Sequence, residues 1–560
     1  MKDSFRLEAN PVFKLSLVFL FGLVLIFVSL FFATSLDRFL PEKIVGRLAF
    51  LSLIPTFVSF VALFIIGMIV LVRKVQVKRT VWIILIFLLA SHLIVKLAVL
   101  EKAPLRTSDE ADMVLRGKYI WNVISGWNIW FRKEQYYPLR PYGHSLIIKM
   151  GGLFSPLTFD SAIRVNICTA TVIIFVVFML SFILFGHEWL SLLCAFFLAV
   201  NSIFTLFSVS ADYSISALFY SLTADLFIAA YLRRGDRLFL ITGLVSLVLT
   251  AQSRPEYILY PIVILTYLFI MVRRQENRFL AFSFLTFLLL IPHFLMTCIF
   301  LKNHPVPNYF NDLSLFKAQS TLQTVSMMVR YNLGLLPSWL QNNGTSSLLY
   351  LLTIIGIIEG IRRYRIQALI LILPMAVLFI GILVGNTRSF VTIAYSINFQ
   401  PYLCILSALG IYSFMRPGGG ARFRIAASGI FALLLIISSL QIFTQLRALH
   451  SDCVVKEIKY LSRISNNLNR QCVGIEKIQG FFEPATGIKT FPVGADFYIV
   501  KAPCLYFFNG FGSLFGDQQQ LLPKSTMSYL RKRYQFHLIN RTTICGENVE
   551  IYLLKNKNSF

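Results

Sequence analysis

Long apolar runs separated by short polar turns set the pattern of this chain. A run of about 18 or more residues with few charges is long enough to cross the hydrocarbon layer as a helix. About thirteen stretches approach or meet that test. The first three are Leu15–Ala33, Leu48–Val72 and Val81–Leu100, and the last is Ile425–Leu446. Between them lie Val165–Phe185, Trp189–Val209, Tyr213–Leu232, Leu238–Ala251, Tyr257–Val272, Phe279–Leu301, Ser347–Ile361, Ile366–Val384 and Val391–Met415. The pattern predicts a polytopic α-helical membrane protein. Residues 1–446 form its transmembrane part, with outer loops at 101–164 and 302–346.

The C-terminal stretch, 447–560, reads differently. Helix-like segments (Val454–Leu468, Met527–Arg533) alternate with strand-like runs at Ala495–Val500, Gln535–Ile539 and Val549–Leu554. This predicts a small α/β domain.

Charge then orients the chain. Its net charge of +26 across 560 residues would suggest a nucleic-acid partner in a soluble protein. Here Lys and Arg collect at span ends, where anionic head groups and topology account for them, and no nucleic acid is expected. Basic clusters at Arg73-Lys74, Arg233-Arg234, Arg273-Arg274, Arg362-Arg363 and Arg416 to Arg424 recur at every second crossing. The turns Ser210–Asp212, Ser253–Glu256 and Asn386–Ser389 carry at most one positive charge each. The positive-inside bias puts the basic set and the N-terminus in the cytoplasm, and the α/β domain outside. The four cysteines of that domain, Cys453, Cys472, Cys504 and Cys545, then face an oxidising compartment, which favours one or two disulfides.

With this topology, polar groups gather at the outer face. Asp109 and Glu110 follow the third span, and an aromatic stretch containing Trp121, Trp127 and Trp130 comes next. Asp212 precedes the sixth span, Arg254 and Glu256 lie between the seventh and eighth, and Arg388 precedes the twelfth. The apolar runs flanking Ser253–Glu256 span only about 21–24 Å as helices, against about 30 Å of hydrocarbon. The turn should therefore lie recessed in a polar cavity. Simpler roles stay open at each position: Asp212 as a helix cap, Arg254 and Glu256 as a structural pair, Arg388 as a lipid anchor. His144, His293 and His304 share no metal-ligand spacing, so no metal site built from histidines is expected; no cofactor is predicted, and the sequence leaves dependence on a divalent metal open.

The order of these motifs resembles the GT-C fold integral-membrane glycosyltransferases that use polyprenyl-phosphate sugars, such as the protein O-mannosyltransferases and lipid A aminoarabinose transferases. The resemblance rests on Ser108-Asp-Glu-Ala111, on Arg140-Pro-Tyr-Gly-His144-Ser-Leu and on Val209-Ser-Ala-Asp212-Tyr-Ser-Ile-Ser. It continues in Ser253-Arg-Pro-Glu256-Tyr and Phe399-Gln-Pro401-Tyr-Leu, and covers roughly residues 100 to 415. No Trp-Trp-Asp triplet occurs in the outer domain, which argues against an oligosaccharyltransferase.

The resemblance implies a catalytic acid at Asp109, with Glu110 and Asp212 beside it. It implies basic residues, among them Arg254, Arg388, Lys302 and Arg140 with His144, that meet the lipid phosphate, and Glu256 in support. The implied reaction is inverting transfer of a sugar from a polyprenyl-phosphate donor to an extracytoplasmic lipid, glycan or protein acceptor. A lipid-carrier flippase and a surface-polysaccharide polymerase or ligase are the competing readings. A transporter should carry ionisable residues along a path through the bundle, and Asp225 and Glu359 are among the few candidates.

Overall fold

The computed structural model describes residues 42–99, 143–153, 157–254, 259–271, 347–385, 397–414, 453–465, 467–469, 472–476, 490–492, 504–509 and 530–557, with a few single positions between them. The first and last predicted spans and Phe279–Leu301 fall outside these ranges, as do 101–142 of the first outer loop and the second outer loop, 302–346, apart from single positions.

Helix α1 (Glu42–Lys74) and helix α2 (Arg79–Val99) are joined by a tight basic turn. Short α3 (Gly143–Gly151) leads to α4 (Phe159–Phe185). The start of α4 is fixed by a reciprocal cap between Thr158 and Ser161, and its end by Gly186 at φ +69°, a left-handed position that costs glycine least. Helices α5 (Glu188–Ala199) and α6 (Ser202–Ser208) follow, then α7 (Ser214–Arg234), α8 (Arg237–Ala251) and α9 (Leu259–Met271). After the second outer loop come α10 (Ser347–Tyr364), α11 (Leu369–Gly385) and α12 (Gln400–Phe414).

Among the described residues, five helices are long and apolar enough to cross a membrane, or six if α5 and α6 form one broken span. The sequence reading takes Trp189–Val209 as one span, and the two helices within it meet at 62°. Asn201 holds the bend. Its side-chain oxygen accepts from Phe204 N at 2.9 Å, and its amide donates to Gln400 Oε1 at 2.9 Å.

Helices α4, α7 and α12 form the buried centre, and α1 and α2 present Ile65, Ile83, Ile86 and Phe87 outward. Outward apolar side chains on a membrane bundle are its lipid contact. Helices α10 and α12 approach at backbone distance where Gly356 faces the Leu406 carbonyl and Gly410 faces that of Leu352. Thr353 and Ser407 hydroxyls meet at 2.8 Å in the same seam. Small residues and a shared hydroxyl pair are how helices associate where burial from water gives no drive.

The bundle has two polar ends. At one, Lys74 Nζ bonds Asp236 at 2.8 Å, Arg234 donates to Lys74 O at 2.8 Å, and Lys78 N donates to Glu188 at 2.8 Å. Tyr364 packs on Phe185 with ring centroids 4.7 Å apart, and Tyr412 lies 5.5 Å from His187. The basic turns beside residues 74, 234 and 364 are thus brought together in space, as the charge alternation groups them.

At the other end sits the C-terminal unit. Helix α13 (Cys453–Ser465) accompanies a five-stranded sheet of β1 (Val473–Glu476), β2 (Thr490–Pro492), β3 (Leu505–Asn509), β4 (Tyr534–Ile544) and β5 (Glu547–Asn556). The strand order is β2-β1-β3-β5-β4. β1 runs parallel to β2 and β3, and β5 antiparallel to β3 and β4. A disulfide joins Cys472 to Cys504 across a separation of 32 residues, and Cys545 is disulfide-bonded too. Closing such a loop is worth about 3–4 kcal/mol on the chain-entropy account. Leu461, Tyr506 and Ile551 share one apolar cluster with Phe159 and Ile163 of α4 and with Val209 and Ala211. The sheet therefore packs on the end of the bundle opposite the basic turns.

Candidate active site

Three of the sequence motifs meet at that end, and they meet through direct bonds. The turn after α8 is the hub. α8 is 15 residues long, roughly 22 Å, and residues 252–254 of the turn that follows it are buried. Gly143 N donates to Gln252 O at 2.8 Å. A Cβ at position 143 would lie 2.9 Å from that same carbonyl oxygen, so glycine permits the approach. Tyr220 of α7 donates to Gly143 O at 3.1 Å and completes the anchorage of α3.

Arg254 leaves this turn only 3% exposed. Its guanidinium donates to Ser214 Oγ and lies over the Tyr213 ring, 4.4 Å from the centroid. An aromatic face under a guanidinium fixes the plane in which its edge donors point, and a fixed fork of donors matches the oxygens of a phosphate.

Asp212 is half-buried. Its Oδ1 accepts from Ser214 N, the first residue of α7, at 2.6 Å, while Tyr213 is the N-cap residue, and its second oxygen makes no bond among the described residues. Asn166 of α4 donates to both Ser210 O (2.8 Å) and Asp212 O (3.0 Å), which pins the turn to the bundle.

His144 departs from the sequence expectation of a phosphate ligand. It is fully buried, with Nδ1 2.6 Å from Ser216 Oγ and Nε2 3.0 Å from Ala211 O. A carbonyl only accepts, so Nε2 carries the proton and Nδ1 accepts from the serine hydroxyl. Burial holds its pKa down at about 4, with the Ala211 hydrogen bond opposing. The ring is a neutral strut between α3 and α7.

Asp109, Glu110, Arg140, Glu256, Lys302 and Arg388 lie outside the described residues. The sequence reading missed Ser214, Tyr213, Ser216 and Asn166 as parts of this cluster. Asn166 is detectable as an amide inside an apolar run; the serines and the tyrosine lie within the quoted motif but carry no charge to single them out. Among the described residues, no three His, Cys, Asp or Glu side chains are placed to hold a metal ion.

A second polar group sits in mid-bundle. Tyr260 donates to Asp225 Oδ1 at 2.6 Å and Tyr402 to Oδ2 at 2.8 Å, while the two hydroxyls lie 3.0 Å apart. Asp225 is eleven residues below Ser214, about 16 Å along the helix, and fully buried. At the basic end, Glu359 is ion-paired with both Arg362 and Arg363.

No protein-family profile matches the sequence, and no curated protein matches it. Solved structures do. ArnT from Cupriavidus metallidurans bound to undecaprenyl phosphate superposes with a TM-score of 0.51 at 11% identity, covering 85% of this chain and 98% of that one. The archaeal oligosaccharyltransferase AglB from Archaeoglobus fulgidus, in complex with an inhibitory peptide and a dolichol-phosphate, reaches 0.45 at 12% identity, covering 82% and 74%. The chain is a polytopic membrane protein with the GT-C fold.

Proposed function

We propose that this protein is a membrane glycosyltransferase that moves a sugar from a polyprenyl-phosphate donor to an acceptor outside the cytoplasm. The observation that carries this reading is the convergence of three motif segments around the turn that bears Arg254, at the end of the bundle that carries the sheet. A guanidinium buried beside a serine hydroxyl, on an aromatic face, suits the phosphate of an amphiphile entering from the membrane. The GT-C fold, and the undecaprenyl phosphate bound by ArnT, support that donor class.

In this reading the acceptor hydroxyl or amine attacks the anomeric carbon opposite the phosphate. The carbon–oxygen bond to phosphate breaks, the electron pair leaves with the polyprenyl phosphate, and the acceptor proton passes to Asp109. One base facing the leaving group gives inversion. Glu110 and Asp212 are the next candidates for the base. Arg254 receives the developing charge, with Arg388, Lys302 and Arg140 as further cations and Glu256 as support. His144 positions α3. The end bearing the sheet is the outer one, which leaves the N-terminus and the basic turns in the cytoplasm.

The flippase reading has less support. Both oxygens of Asp225 are occupied by tyrosines, and Glu359 is neutralised beside its own arginines, so neither lines a polar path. A polymerase or ligase of surface polysaccharide would share the carrier-lipid chemistry and differ in acceptor. The test is incubation of purified protein with radiolabelled polyprenyl-phosphate sugars, scoring label in lipid, glycan and protein fractions. Transfer of one sugar without chain growth supports the reading. Carrier translocation without transfer would sink it.

A further inference from the structure

Helix α2 carries a cation that nothing described so far uses. Its bundle-facing stripe runs Val81, Leu85, His92, Lys96, all buried, while Ile83, Ile86, Phe87, Ile94 and Val95 face outward. Lys96 therefore lies on the protein side of a span, in its last turn, and is only 7% exposed. A lysine near a span end ordinarily snorkels, keeping its ammonium in water while the stem covers apolar surface. Lys96 keeps only that small remainder of its surface open, and among the described residues it makes no hydrogen bond or ion pair. A buried ammonium without a counter-ion is costly enough that such a group normally marks a ligand or an ion path.

His92 lies one turn below on the same face. The Thr171 hydroxyl donates to Ile167 O at 2.9 Å, so at 3.1 Å from His92 Nδ1 it acts as acceptor, and Nδ1 carries the proton. His92 Nε2 is then a buried lone pair without a partner among the described residues. An imidazole acceptor beside an ammonium complements a protonated phosphate, which offers both a charged oxygen and an O–H.

This pair and the Arg254 cluster meet α4 on different faces. Thr171, which meets His92, and Asn166, which holds the Asp212 turn, are five residues apart on α4, about 140° round the helix. We propose that Lys96 and His92 form a second anion site, which takes the phosphate of a membrane-resident amphiphile. The site goes beyond the glycosyltransferase reading and does not depend on it.

The test uses the full-length protein in an uncharged detergent, with bound lipid counted by native mass spectrometry and the melting temperature read in parallel. The probes are undecaprenyl monophosphate, undecaprenol, dioleoyl phosphatidate and inorganic phosphate. Undecaprenyl monophosphate should occupy two sites on the wild type and one on Lys96→Met, with the Lys96-dependent affinity falling at least tenfold. Undecaprenol should be indifferent to the substitution. Phosphatidate that competes identifies the ligand as lipid phosphate in general, and competition by inorganic phosphate identifies a soluble anion.

Without lipid, Lys96→Met should melt at the wild-type temperature or above, because it removes an uncompensated charge. A fall of several degrees with phosphate binding intact would mean that Lys96 meets an acid of its own chain, and would overturn the proposal. Equal occupancy and affinity in wild type and Lys96→Met would do the same. Lys96→Gln repeats the comparison should the methionine variant not fold. Arg254→Met reports the other site: loss there with Lys96 silent defeats the second site and leaves the transferase reading standing.

Discussion

The guanidinium of Arg254 lies 4.4 Å from the centre of the Tyr213 ring while donating to the hydroxyl of Ser214, the next residue along. Two neighbours in sequence thus fix both the plane and the edge of one buried arginine. Arg254→Lys keeps the charge and loses the stacked plane and the fork of donors. We expect the Michaelis constant for the donor to rise about tenfold or more, the scale of one charge-assisted hydrogen bond. Tyr213→Leu should move it in the same direction and less far. Steady-state kinetics and the melting temperature are read together. A lowered melting point with wild-type kinetics would leave Arg254 as scaffold.

The base proposed for the transfer is tested by Asp109→Asn. Turnover should drop about a hundredfold or more, the usual scale for general-base loss, with the fold intact by circular dichroism. Near-normal transfer would move the base to Glu110 or Asp212, and the second oxygen of Asp212 makes that residue the first to try.

Much of this arrangement is legible in the chain, and the limits have physical reasons. The spans are legible because hydrocarbon admits only apolar helices, and α1, α2, α4 and α7 fall where the runs place them. The helix α13 and the β4–β5 hairpin are legible because each alternates with its own period. The break at Asn201 is not, because the apolar run passes through Val200 and Ser202 without a proline or charge. Its cause is a hydrogen bond to Gln400, 199 residues away. The meeting of Gly143 with Gln252 is invisible for the same reason. His144 reads as a ligand because a histidine beside an outer loop is a plausible phosphate partner, but local sequence does not reveal that Ala211 and Ser216 occupy both its nitrogens.

The Asp225 group separates an enzyme from a transporter. Tyr402→Phe removes one of the two hydroxyls from a buried carboxylate and should cost roughly 1–3 kcal/mol of stability. Asp225→Asn should cost a similar amount. Neither should shift the donor Michaelis constant, since the group lies about 16 Å below the Arg254 cluster. Thermal unfolding and kinetics decide it. Altered carrier movement with unchanged stability would revive the flippase reading.

His144 makes stability depend on pH in a definite direction. α3 lies outside the helices that qualify as spans, and the ring is held at a pKa of about 4 against an ordinary value of 6.5, mainly by burial. The unfolded chain therefore takes up a proton first as pH falls. The sign follows: the native state loses nothing from this group above pH 6.5 and is progressively destabilised between 6.5 and about 4. The total comes to roughly 3 kcal/mol, because each tenfold difference in proton affinity between folded and unfolded chain is worth about 1.4 kcal/mol. His144→Gln retains a hydrogen-bonding side chain and cannot take the proton. Its melting temperature should be lower than wild type at pH 7.5, because the fit to Ala211 and Ser216 is imperfect, and should fall less between pH 6.5 and 4.5. Parallel melting curves for the two proteins across that window would show that His144 charges freely in the folded state and that the strut is not closed.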